Sequence, residues 1–197
     1  AAGADIQVML ECDVARAREY SASPIMQKLE NLKTPVIAAM EGYALGGGLE
    51  LALACDIRIA AENAKMGFPE TTLGVIPGAG GTIRAPRLIG EALAKELIFT
   101  GKVIDSQKAL AIGLVNQVVP DGQVLETAMK MAGKIARNAP LAIEKAKGTI
   151  REGQEAESFE KGYAREVEAF ASLFATEDQK EGMRAFVEKR KPVYKKR

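Results

Sequence analysis

The sequence contains no histidine, and this absence restricts the chemistry that the protein can perform. Histidine-based catalytic triads and histidine-rich metal sites are excluded, and so is the side chain most often used to transfer protons near neutral pH. Proton transfer must fall to carboxylates, lysine, tyrosine, cysteine or backbone groups. Carboxylates are therefore the leading candidates for catalysis.

Cysteine is also scarce, because the 197 residues include only Cys12 and Cys55. They do not form a C-x-x-C pair, and there is no histidine to activate either thiol as a nucleophile. Two cysteines in a chain of this size favour reduced thiols in an intracellular protein.

Long apolar runs and a net charge of one sign are missing as well. The sequence has 27 basic and 26 acidic residues, so no overall field favours nucleic acid or an anionic membrane as a partner. No apolar run is long enough to span a bilayer, which predicts a soluble chain. The length and the hydrophobic content of 47% fit one globular domain.

The first 100 residues alternate between strand and helix patterns, which predicts a parallel α/β layer. The predicted elements are a helical stretch from Met9 to Leu32 broken at Ser23-Pro24, strands at Val36 to Met40, Asp56 to Ala61 and Met66 to Phe68, a glycine-rich turn at Gly42 to Gly48, a helix at Leu49 to Ala54 and a loop at Pro77 to Thr82.

Beyond Gly101 the pattern becomes mainly helical, with apolar residues at helical spacing after Val124. A later helix carries an aromatic stripe, which is typical of a core or a subunit interface. We interpret the basic C-terminal tail, from Lys189 to Arg197, as a solvated end. The stripe consists of Phe159, Tyr163, Val167, Phe170 and Phe174.

Three consecutive glycines, Gly46 to Gly48, precede the predicted helix that contains Glu50. The first amides of a helix lack acceptors within it and could bind an oxyanion, although for the glycines alone a tight strand-to-helix turn with close packing is the favoured interpretation. Glu50 has apolar neighbours on both sides, so its carboxylate is expected to be buried and needs partners or a function. The alternative is an ion pair with an arginine such as Arg58 or Arg84.

Glu70 follows the third predicted strand, where a side chain can point into a cleft. By itself it would be an ordinary exposed loop residue. Together with Glu50 it forms a pair of carboxylates that could divide acid and base functions. The glycine-rich segments match neither the P-loop nor the G-x-G-x-x-G pattern, which disfavours nucleotide binding.

These motifs resemble those of the enoyl-CoA hydratase/isomerase, or crotonase, family. The resemblance lies in Ala2-Gly3-Ala4-Asp5, in the segment from Gly42 to Ala52, in Gly67-Phe68-Pro69-Glu70 and in the segment from Leu73 to Thr82. It implies an α/β fold that is a crotonase-like spiral of ββα units, followed by helices that build a trimer or a dimer of trimers. Residues 1–121 would belong to the spiral core, and residues 122–197 would form the helical oligomerisation region.

The resemblance also implies the site and its substrate, an enoyl-CoA thioester. Glu50 would orient and deprotonate the attacking water, and Glu70 would deliver a proton to the α-carbon. The amides of Ala4 and Gly47 would form the oxyanion hole. Coenzyme A would be part of the substrate, with no metal and no separate cofactor. The remaining substrate-binding residues would be Ala2, Asp5, Ile6, Gly46 and Gly78.

Three alternatives stay open. The sequence also resembles methylglutaconyl-CoA hydratases, and related isomerases typically use one acidic residue. A non-catalytic oligomeric or RNA-binding member of the fold is the third alternative. The segment from Asp13 to Leu32 carries Arg16, Arg18 and Lys28 without a row of lysines on one face, so nucleic acid is disfavoured as a partner.

The chain begins inside a family motif, at Ala1. We therefore expect the first strands of the family to lie upstream, and without a replacement for them the core strands would have unpaired edges. The resemblance implies the cytoplasm in a bacterium or the mitochondrial matrix in a eukaryote.

Overall fold

The computed structural model describes residue 1 and residues 3–197, which divide into two compact units. Unit one comprises Ala1–Leu32 and Val36–Met129, and unit two comprises Lys33–Pro35 and Lys130–Arg197.

Unit one has an α/β architecture. In chain order its elements are α1 (Ile6–Leu10), α2 (Val14–Tyr20), α3 (Ser23–Glu30), β1 (Ile37–Met40), β2 (Tyr43–Leu45), α4 (Gly47–Leu53), β3 (Ile57–Ala61), β4 (Lys65–Gly67), a 3-10 helix (Pro69–Leu73), α5 (Gly81–Ile89), α6 (Glu91–Thr100), β5 (Val103–Asp105), α7 (Ser106–Ala111) and β6 (Gln117–Val119). Helix α8 (Val124–Ala136) runs from unit one into unit two.

Two three-stranded sheets organise the described part of unit one. In the first, β1, β3 and β6 are all parallel, and β3 lies in the centre. In the second, β2 pairs with β4 in parallel and β4 pairs with β5 antiparallel. The predicted parallel layer is therefore present, because β1 and β3 coincide with predicted strands and pair in parallel, with α4 between them in the chain.

Several elements differ from the sequence prediction. Strand β2 lies inside the segment predicted as a glycine-rich turn, and β5 and β6 lie in the segment predicted as helical. Each has three residues, too few to show a strand period, and depends on pairing with a distant neighbour. The predicted break at Ser23-Pro24 corresponds to the interruption between α2 and α3, since α3 begins at Ser23 with Pro24 in its first turn, where proline is tolerated. A second interruption, between α1 and α2, was not predicted.

The apolar core of unit one packs the strands against α4 to α7. Leu49, Met66, Phe68 and Leu114 are fully buried there. Arg58 is also buried, and its guanidinium donates to the carbonyl oxygens of Leu114 and Cys55 at 2.9 and 2.8 Å. These backbone acceptors compensate for the burial of the Arg58 charge.

Unit two consists of the end of α8 together with α9 (Pro140–Gln154), α10 (Phe159–Leu173) and α11 (Glu177–Val187). The predicted aromatic stripe lies on α10 and at its C-terminal cap, Phe174. Its five side chains are exposed, so the stripe is not part of the core of this chain.

The C-terminal tail is bound rather than simply solvated. The buried carboxylate of Asp178 accepts from the backbone amides of Lys195 and Lys196 at 2.6 and 2.9 Å. The amide of Asp178 donates in turn to the carbonyl oxygen of Arg197. The tail from Lys189 to Arg197 is largely exposed, as the interpretation of a solvated end expects, but its last residues are also hydrogen-bonded to α11. Among the described residues, no helix is both long enough and apolar enough to cross a membrane.

Candidate active site

Glu50 is a buried carboxylate held by two backbone amides. It lies in the first turn of α4 and is 2% exposed. Its Oε1 accepts from the amide of Ala79 and from the amide of Gly81, both at 2.7 Å. Two short charge-assisted hydrogen bonds compensate for the loss of water around this carboxylate.

The loop before α5 provides both donors. Gly80 caps the helix with φ of 110°, in the left-handed region that favours glycine, and Gly81 is the first residue of α5. The amide of Gly81 therefore has no acceptor within the helix and sits at the positive end of its dipole. A Cβ at Gly81 would lie 3.1 Å from Glu50 Oε1 and 2.8 Å from the Cβ of Pro77. A side chain at this position would disturb the carboxylate.

The arginines considered as ion-pair partners of Glu50 are engaged elsewhere. Arg58 donates to backbone carbonyls, as described above. Arg84 donates to Glu30 and to the carbonyl oxygen of Ala79. The contacts of Glu50 among the described residues are thus those of a carboxylate bound by amides.

Glu70 lies in the 3-10 helix after β4 and is partly buried. Its Oε2 is buried without a hydrogen-bond partner among the described residues. Burial raises the pKa of Glu70, and the negative charge of Glu50 raises this pKa further. A hydrogen bond from the backbone of Glu70 lowers the pKa, but by less than burial raises it. Glu70 therefore retains its proton more readily than an exposed glutamate.

Both carboxylates converge on the turn formed by Gly46 and Gly47. A Cβ at Gly46 would lie 2.5 Å from Glu70 Oε1, and a Cβ at Gly47 would lie 3.9 Å from Glu50 Oε2. Gly46 also has φ of 51° and ψ of −124°, which a residue with a side chain rarely adopts. The two glutamates thus flank one narrow space that glycine keeps open.

The N-terminal segment approaches the same turn. A Cβ at Gly3 would lie 3.1 Å from the nitrogen of Gly47, and a Cβ at Gly47 would lie 3.9 Å from the nitrogen of Ala4. Gly47 is the first residue of α4, so its amide has no acceptor within the helix. Ala1 aligns this segment beside β2, donating to the carbonyl oxygen of Tyr43 at 2.7 Å and accepting from the amide of Leu45 at 3.1 Å.

The other predicted substrate-binding residues are placed differently. Ala2 lies outside the described residues. Asp5 caps α1, where its side chain accepts from the amide of Gln7 at 2.9 Å, and Ile6 is exposed at the start of that helix. Gly78 is exposed, and its carbonyl oxygen accepts from Ser23 Oγ at 2.8 Å.

The amides of Ala79 and Gly81 were not predicted from the sequence as partners of Glu50. Both lie in the predicted loop from Pro77 to Thr82, so its run of glycines before a helix was the available signal. Among the described residues there is no group of three or more His, Cys, Asp or Glu side chains that could hold a metal ion.

Comparison with known proteins identifies the family of this chain. The sequence model described as enoyl-CoA hydratase/isomerase matches residues 1–197. The short-chain-enoyl-CoA hydratase of Clostridium acetobutylicum is 48% identical over 192 residues, which cover 96% of this chain and 73% of that protein. The mitochondrial methylglutaconyl-CoA hydratase of Rattus norvegicus is 45% identical over 205 aligned positions, which cover 98% of this chain and 63% of that protein.

A solved structure is also similar. The crystal structure of an enoyl-CoA hydratase from Bacillus anthracis has a TM-score of 0.95 and 47% identity, and the match covers 100% of this chain and 76% of that one. The predicted crotonase-like fold and the predicted family resemblance are both confirmed.

The raised pKa of Glu70 predicts a pH dependence of stability. Above about pH 4.5, the ordinary value, the folded state retains a proton that the unfolded state has lost. The free energy of unfolding contributed by this group therefore falls as pH rises towards the folded pKa. Relative to wild type, Glu70→Gln should become more stable as pH increases from 4 to 8, as measured by urea denaturation.

Glu91→Gln is the control of opposite sign. The hydrogen bond from Lys95 lowers the pKa of Glu91, so this variant should lose stability relative to wild type as pH rises through the ordinary value of 4.5, and the difference should then stay constant at higher pH. The loss should be small because the pair is exposed. A difference between Glu70→Gln and wild type that does not change with pH would contradict the assignment.

Proposed function

The chain belongs to the enoyl-CoA hydratase/isomerase family, and from that premise we propose that it hydrates enoyl-CoA thioesters with Glu50 and Glu70 as its catalytic residues. Water adds across the 2,3 double bond to give a 3-hydroxyacyl-CoA, which makes the chain a hydro-lyase. The observation that carries this proposal is the arrangement at the Gly46–Gly47 turn. One carboxylate is held there by two amides, and the other is partly buried with an unpartnered oxygen.

The amides of Ala4 and Gly47 form the oxyanion hole in this proposal. Negative charge develops on the thioester oxygen when water attacks the conjugated double bond. The close approach of Gly3 to the nitrogen of Gly47 supports this role, because it brings the two amides to one place. The N-terminus of α4 adds a favourable dipole.

Glu50 acts as the base. Its Oε1 is occupied by two amide donors, whereas Oε2 is directed towards Gly47. This leaves Oε2 to accept a proton from water while the water oxygen bonds to C3 of the substrate.

Glu70 acts as the acid. Burial favours its protonated form, so it can transfer its proton to C2 and become a carboxylate. Over one turnover Glu50 gains a proton and Glu70 loses one, and exchange with solvent restores both.

Coenzyme A is part of the substrate, and we propose no separate cofactor. Gly46 lines the reacting space in this proposal, and Gly78 lies next to Ala79, whose amide binds Glu50. The family resemblance implies that Ala2, Asp5 and Ile6 contact the thioester. Asp5 and Ile6 lie at the start of α1.

Two related activities are the alternatives. A branched substrate is suggested by the name of the rat relative, and an isomerase would need one proton-transferring carboxylate. The presence of two carboxylates at one turn favours hydration, because one is needed for water and one for C2.

Replacement of either glutamate by glutamine tests these roles. We expect Glu50→Gln and Glu70→Gln each to lower kcat for hydration of crotonyl-CoA by at least about 10²-fold, since each removes a proton-transfer group. The assay follows loss of the absorbance of the conjugated thioester. Glu41→Gln, at an exposed residue between β1 and β2, is the matched control and should retain activity. Loss in one glutamate variant alone would favour the isomerase.

Gly46→Ala tests the space beside Glu70. The new methyl group would collide with Glu70 Oε1 and should lower kcat by more than about tenfold. Gly42→Ala is the matched control, because Gly42 also has positive φ, 64°, but a Cβ there would meet no heavy atom within 4 Å. Both variants should lose stability from backbone strain, and Gly46→Ala should lose more, because φ of 51° with ψ of −124° lies outside the regions open to residues with a Cβ. Equal loss of kcat in the two would contradict the proposed packing of Glu70.

A homo-oligomer, a trimer or a dimer of trimers, is the proposed assembly. The exposed stripe on α10 supports it, because such apolar side chains are typical of subunit interfaces. Sedimentation equilibrium should give three or six times the chain mass of 21.0 kDa. Val167→Asp should shift the protein to a smaller species, whereas the exposed change Glu168→Gln should not. A monomeric wild-type protein would overturn this assembly.

A further inference from the structure

Arg84 and Glu30 connect α3 to the loop that binds Glu50. Arg84 Nη2 lies 2.7 Å from Glu30 Oε2, and Arg84 Nε donates to Glu30 Oε1 at 3.3 Å. Arg84 Nη1 donates to the carbonyl oxygen of Ala79 at 3.0 Å. The guanidinium is largely buried, so it binds the loop on one side and a carboxylate of α3 on the other.

The peptide groups on the two sides of Ala79 face different partners. The amide of Ala79 donates to Glu50, while its carbonyl oxygen accepts from Arg84. A shift of the Arg84 guanidinium would therefore move Ala79, whose amide binds the carboxylate of Glu50.

Gly80 leaves the space that Arg84 needs. A Cβ at Gly80 would lie 1.9 Å from Arg84 Nη1. The side chain of Arg84 thus folds back across Gly80 to reach the residue before it. Its planar guanidinium presents donors on three nitrogens and can bind Ala79 and both oxygens of Glu30 at once, whereas an ammonium carries all its donors on one atom.

Helix α3 contacts this loop at further points. Ser23 Oγ donates to the carbonyl oxygen of Gly78 at 2.8 Å, and Met26 packs with Ala79 and Ala54 in a small apolar cluster. The helix therefore supports the loop over its length, and the Glu30–Arg84 pair is its charged contact.

We propose that Arg84, held by Glu30, is a positioning residue that fixes the amides of Ala79 and Gly81 around Glu50 and so sets the orientation of the base. This inference rests on the proposed function. Arg84 acts through the loop and does not touch the substrate. Replacement of Arg84 should therefore change kcat rather than KM. The change in kcat should be present only when residue 50 is a glutamate.

Kinetics of Arg84→Lys test the proposal. We expect kcat for crotonyl-CoA to fall about tenfold with KM within about twofold, because the lysine cannot bind Ala79 and both oxygens of Glu30 together. Arg87→Lys, at an exposed arginine on the same helix, is the matched control and should resemble wild type.

The Glu50→Gln background separates positioning from a general loss of structure. Glutamine can still accept from the two amides but is not a base, so Arg84→Lys should cost less than about twofold there. An equal loss in both backgrounds, or a loss confined to KM, would overturn the proposal.

Glu30→Gln is the second variant if Arg84→Lys does not fold, since Glu30 is partly exposed and glutamine keeps one acceptor. It should lower kcat about threefold, and the double variant should be no slower than Arg84→Lys. Unchanged kcat in both single variants would refute the proposal. A wild-type protein without hydratase activity would instead refute the proposed function.

Discussion

The rest of the site depends on the burial of one carboxylate, that of Glu50. A buried charge is costly unless strong donors surround it, and α4 provides apolar neighbours on both sides. The amides of Ala79 and Gly81 supply the compensation, 29 and 31 residues further along the chain. This requirement brings the loop before α5 against α4 and fixes which carboxylate oxygen faces the Gly46–Gly47 turn.

Close approach of backbone segments is the second constraint. Gly46 leaves room for Glu70, Gly81 leaves room for Glu50, and Gly3 allows the N-terminal segment to reach Gly47. Each glycine borders a different functional group, so a methyl group at any one of them would disturb a different part of the site. The environments of the two glutamates differ accordingly, because one is bound by amides and the other is desolvated.

Much of this site could be predicted from sequence, but its supporting contacts could not. The apolar surroundings of Glu50 predicted its burial, an apolar run indicated β1, and an alternating pattern indicated β3. The donors to Glu50 are backbone amides, which every residue carries, so no residue type identifies them. The contact of Arg84 with Glu30 spans 54 positions and depends on the docking of α3, which local patterns do not show. Strands β2, β5 and β6 were missed because three residues contain too little periodicity.

A crystal structure of the protein with butanoyl-CoA, a saturated thioester that cannot add water, would show where the thioester lies relative to Glu50, Glu70 and the Gly46–Gly47 turn. We expect the thioester oxygen to accept from the amides of Ala4 and Gly47, with C3 beside Glu50 Oε2 and C2 beside Glu70. A thioester bound away from the Gly46–Gly47 turn, or a Glu50 carboxylate released from the amides of Ala79 and Gly81, would contradict this expectation.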